Sequence, residues 1–127
     1  MSNDPILFVD DDLMSRLLNC AVLRDGGFET LEARSYAEAA RLIQQHPRLA
    51  ALVTKVDLGK AVDGFELARL ARDANAQIAV VYLAGPDVQQ FFGQGVIHSR
   101  FIAKPCDPRQ IVRALDEATP LAPVRLT

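Results

Sequence analysis

The chain has no tryptophan, and its two tyrosines and six phenylalanines make up only 6% of its residues. A core must therefore be assembled from Leu, Val, Ile and Ala, which are plentiful because half of all residues are hydrophobic. An excess of one charge is also missing. Fourteen Lys and Arg face 16 Asp and Glu, a net charge of −2, which leaves no basic footprint for nucleic acid. No apolar run approaches the roughly 18 residues of a membrane span, so no membrane partner is expected. Met1-Ser2-Asn3-Asp4-Pro5 places no basic stretch before an apolar run, so no secretory signal is expected and a cytoplasmic location is. Cysteine is scarce. Cys20 and Cys106 lie far apart, outside any CxxC or metal-ligand spacing, and read as two buried free thiols in a reducing compartment. Repeats and low-complexity segments are absent. A length of 127 residues with 24% charged residues fits one ordinary domain, residues 1–127. Its core is expected over about residues 5–119, with a loose tail over 120–127.

Short apolar runs alternate with segments of helical period. Ile6-Leu7-Phe8-Val9 is apolar at every position and ends in Asp10-Asp11-Asp12, as suits a strand covered on both faces. Leu13, Leu17, Leu18 and Val22 then recur at helical spacing until Gly26-Gly27, which reads as a C-cap. A second strand is expected over Phe28–Ala33. Ser35 and Glu38 form a capping box for the next helix. Further strands are expected over Leu49–Thr54, Ile78–Leu83 and Phe101–Ala103. A third helix opens at Gly64. Asp107-Pro108 with Gln110 opens a last one, whose buried face is Ile111, Ala114, Leu115 and Ala118. Between them, Val88, Phe91 and Phe92 predict a short helix over 87–92, ended by Gly93 and Gly95.

Five strands alternating with five helices is the pattern of an α/β protein with a parallel sheet and right-handed crossovers. Its functional crevice should lie at the carboxyl ends of the strands. The residues there are Asp10, Asp11 and Asp12 after the first strand, Lys55 after the third, Ala84 after the fourth and Lys104 after the fifth. Adjacent carboxylates repel, by about 4 kcal/mol at 4 Å and an effective dielectric near 20. They therefore need a cation or must raise their pKa values, unless they form only a solvated turn and a helix N-cap. A Lys before Pro105 could supply the charge across the sheet, or could be a surface lysine before a turn.

The combination of Ile-Leu-Phe-Val-Asp-Asp-Asp (6–12), Asp63-Gly64-Phe65-Glu66-Leu67 and Lys104-Pro105 resembles the receiver domains of two-component response regulators. The resemblance spans about residues 5–119. It implies a flavodoxin-like, doubly wound five-stranded parallel sheet of order 2-1-3-4-5, with helices on both faces. It also implies an acidic pair, Asp10 and Asp11, that holds magnesium in the family. An aspartate ending the third strand would accept a phosphoryl group from a histidine kinase. A Ser or Thr after the fourth strand and the lysine, Lys104, would contact that phosphate. An aromatic switch residue would stand at Phe101, and the proline after the lysine is often cis.

Two positions depart from that pattern. Lys55 stands at the phosphoacceptor position, and Ala84 stands where the hydroxyl is expected. An amine is not the family's acceptor, and a methyl group cannot hydrogen-bond a phosphate. The alternative acceptor, Asp57, lies six residues before Asp63 and Lys55 lies eight before it, whereas the family spacing is seven. Placing Asp57 at the strand end would bury Lys55 inside a central strand, at a cost of several kcal/mol if unpaired.

With Lys55, two carboxylates face two lysines, so the expected cofactor is none. Were magnesium bound, Asp10 and Asp11 would hold it. The expectation is thus a stand-alone, degenerate receiver that binds a protein partner without phosphorylation and is not an enzyme. The resemblance implies docking, and equally homodimer formation, on the face made by the fourth helix, fifth strand and last helix, about residues 86–119. Two alternatives stand beside it. One is a conventional receiver phosphorylated on Asp57. The other is a small magnesium-dependent phosphatase, because Asp10-x-Asp12 also resembles the nucleophile motif of haloacid-dehalogenase-type enzymes. That motif wants Thr or Val where this chain has Met14, and that family needs a cap or a longer core.

Overall fold

The computed structural model describes residues 4–60, 63–85, 95–104 and 106–118. Strands β1 (Ile6–Val9), β2 (Thr30–Ala33), β3 (Ala51–Lys55), β4 (Ala79–Ala84) and β5 (Ser99–Ala103) alternate with helices α1 (Leu13–Asp25), α2 (Tyr36–Gln45) and α3 (Asp63–Ala74). Helix α4 (Pro108–Ala118) follows β5. All neighbouring strands are parallel, as the alternating pattern implies, in the order β2-β1-β3-β4-β5 that the family resemblance implies. The helix expected over 87–92, the proline at 105 and the tail from 120 lie outside the described residues.

The central strands are apolar at almost every position because both faces are covered. On one face Leu7, Val9, Leu52, Val80 and Tyr82 pack against Ala39, Ile43, Phe65, Leu67, Ala68 and Ala71 of α2 and α3. On the other, Ile6, Phe8, Val53, Val81 and Leu83 pack against Cys20 and Leu23 of α1 and Ile111, Ala114 and Leu115 of α4. Helix starts follow the expected caps. Ser35 Oγ accepts from Glu38 N at 3.1 Å and Glu38 Oε1 from Arg34 N at 3.0 Å. Asp107 N donates to Gln110 Oε1 at 2.8 Å, and the close Arg109 guanidinium holds the Asp107 carboxyl down to about 2.

Several strand boundaries shift by one or two residues. Strand β2 begins at Thr30, β3 at Ala51 and β5 at Ser99, and Ala84 is the last residue of β4 rather than the one after it. Helix α1 forms where the helical spacing predicts it, but its leucines are largely solvent-facing: Leu13, Leu17 and Leu18 are 54%, 51% and 58% exposed, and Met14 is 71% exposed. The face turned to the sheet carries Asn19, Cys20 and Leu23 instead. The helix enters from the Asp12 cap, whose side chain accepts from Ser15 N. From there Arg16 reaches back to the Asp10 carbonyl at 2.8 Å, which fixes the helix rotation and leaves the leucines outside. Cys20 is buried, with its thiol pushed up to about 12 chiefly by desolvation. Cys106 is only half-buried, against expectation.

Candidate functional site

Four of the expected residues converge at the carboxyl edge of the sheet. Asp10 follows β1 directly and is fully buried. Its Oδ2 accepts from Lys104 Nζ at 2.6 Å and from Ser15 Oγ at 2.7 Å, while Oδ1 accepts from the Asp12 N–H at 2.9 Å. Burial alone would push this carboxyl up. The Lys104 ammonium, the Asp12 N–H and the Ser15 hydroxyl together outweigh it and hold the group below the ordinary carboxylate range. Asp11 turns outward. Its Oδ1 accepts from Lys55 Nζ at 2.9 Å, and that hydrogen bond raises the lysine pKa against a smaller opposing effect of burial. The edge thus holds two ion pairs, Asp10–Lys104 and Asp11–Lys55.

Lys55 reaches this edge because it is the last residue of β3, aligned with Leu83 of β4. The chain then turns sharply. Val56 N donates to Leu83 O at 3.0 Å and Gly64 N to Val56 O at 2.8 Å. This accounts for glycine in the Asp63-Gly64 pair. A Cβ on Gly64 would lie 2.6 Å from the Lys55 carbonyl oxygen and 2.7 Å from the Val56 Cα. Asp63 is buried and its Oδ2 accepts from Lys60 N at 3.0 Å. Asp57 is exposed, two residues beyond β3, and its Oδ1 is engaged by Gly59 N at 2.9 Å.

Ala84 is buried, and its carbonyl accepts from Lys104 N at 2.8 Å. Phe101 is half-buried and turned inward. Its ring lies 4.8 Å from that of Tyr82 and 6.1 Å from that of Phe65. Gly95 closes over these rings, and a Cβ there would meet both Tyr82 and Phe101 at 3.2–3.3 Å. Tyr82 is fully buried, and its hydroxyl accepts from Val96 N at 3.0 Å.

Sequence reasoning missed three participants on α1: Ser15, Arg16 and Asn19. Ser15 and Arg16 were legible only as the first turn after an Asp12 cap. Asn19 donates to Ser15 O at 2.8 Å, but its buried Oδ1 has no hydrogen-bond partner among the described residues. Nothing in the sequence marks that position as polar and buried. Ser15, Asn19, Lys104 and Cys106 share the wall of a cavity of about 460 Å³ beside the acidic edge.

The response regulator receiver domain profile matches residues 6–116. The chain belongs to the response regulator receiver domain family. This receiver domain is 28% identical over 114 residues to the aerobic respiration control protein ArcA of Escherichia coli K12, covering 87% of the chain and 46% of that protein. It therefore spans about half the length of the curated relatives it matches. It is similar in structure to a response regulator receiver protein from Sinorhizobium medicae WSM419, with 26% identity, a TM-score of 0.84, and 91% and 93% of the two chains covered. The chemotaxis protein CheY4 of Vibrio cholerae shares the fold at 21% identity, with a TM-score of 0.74 over 91% and 98% of the chains. Among the described residues no helix is long and apolar enough to cross a membrane.

The magnesium that the family resemblance implies does not suit the donor set of this receiver domain. Hard divalent cations want several oxygen ligands. Both Asp10 oxygens already accept from protein donors, and Asp11 carries the Lys55 ammonium. The β3 end presents a cation where a third carboxylate would be needed.

Proposed function

We propose that this receiver domain acts as a phosphorylation-independent protein-binding module rather than as an enzyme or a phosphorylated switch. The observation carrying this reading is the Lys55–Asp11 ion pair beside Asp10–Lys104. Two carboxylates and two ammonium groups neutralise the pocket from within, so no divalent charge is required. Lys55 occupies the acceptor position and offers no carboxylate oxygen for an acyl phosphate. Ala84 offers no hydroxyl to draw a phosphate-bound loop inward. The inward Phe101, packed on Tyr82 beneath Gly95, supports a single constitutive state of the β5 face. A protein partner would dock on β5 and the last helix, within about residues 86–119, in the bacterial cytoplasm and without nucleic acid.

Amide chemical shifts recorded during titration with magnesium and beryllofluoride test this reading. The expectation is that signals of Asp10, Asp11, Lys55 and Phe101 stay in place. Saturable shifts at these positions would favour a conventional receiver using Asp57.

A further inference from the structure

We draw no further inference here: the strongest candidate, the apolar face that Leu13, Met14, Leu17 and Leu18 leave exposed on α1, carries nothing, because nothing in the structure shows what covers it.

Discussion

The Lys55 ammonium lies 2.9 Å from the Asp11 carboxylate, joining the ends of β3 and β1. The neighbouring Lys104–Asp10 pair, at 2.6 Å, differs from it in one decisive respect. Asp10 is fully buried, whereas the Asp11 side chain is 45% exposed and that of Lys55 31%.

That difference sets the effect of removing each lysine. Lys104→Ala strands a buried carboxylate whose other partners are the Ser15 hydroxyl and the Asp12 N–H, and should cost roughly 3 kcal/mol. Lys55→Ala breaks a largely solvated pair and should cost less than about 1 kcal/mol. Urea unfolding of both variants checks the order, and equal losses would mean that Lys55 carries more of the fold than its exposure allows.

Replacing the cation by a carboxylate should reverse the site's relation to metal. In Lys55→Asp, three carboxylates face one lysine, and their repulsion calls for a divalent ion. The melting temperature of this variant should rise with millimolar magnesium, while that of the parent chain should not respond. Differential scanning fluorimetry separates the two.

Acid stability follows from Asp10. Its folded pKa lies below the ordinary 3.8, so the unfolded chain binds the proton more tightly. The stabilisation is complete above the unfolded value and is lost as pH falls through the folded one. Unfolding free energy should therefore drop as pH is taken from 4 downward, and Asp10→Asn should flatten that drop. For Lys55 the folded pKa lies above 10.5. Its small contribution is present below 10.5 and fades as pH rises through the folded value.

Gly64→Ala offers a sharper packing test. The added methyl would meet backbone atoms of Lys55 and Val56 at 2.6–2.7 Å, and backbone cannot swing aside as a flexible side chain can. A loss of about 1–3 kcal/mol is expected, measured by thermal or chemical unfolding. Gly85→Ala, where an added Cβ would meet none of the described residues within 4 Å, serves as the mild control.

The parallel α/β layout and the acidic edge were legible because all-apolar strands ending in charge leave few arrangements open, whereas the strand order came with the family resemblance. Ile6–Val9 running into Asp10, and Ala51–Thr54 running into Lys55, place those charges at one sheet edge in any doubly wound fold. The rotation of α1 was not legible. Its leucines repeat at a perfect helical period, yet the helix turns Asn19 and Cys20 inward because Arg16 and Ser15 are held by Asp10. Periodicity identifies a stripe but not which side of the helix the sheet takes, and here the competing side is anchored by polar contacts. The boundaries of β2, β3 and β5 moved for a simpler reason. Phe28 and Leu49 pack at the sheet margin without joining the ladder, whereas Ser99 and Arg100 join it despite being polar.

The claim that Lys55 ends phosphotransfer at this site is tested most directly by intact-protein mass spectrometry after incubation with acetyl phosphate and magnesium. The account predicts an unchanged mass for the parent chain. A stoichiometric phosphoryl adduct, abolished by Asp57→Asn, would contradict it.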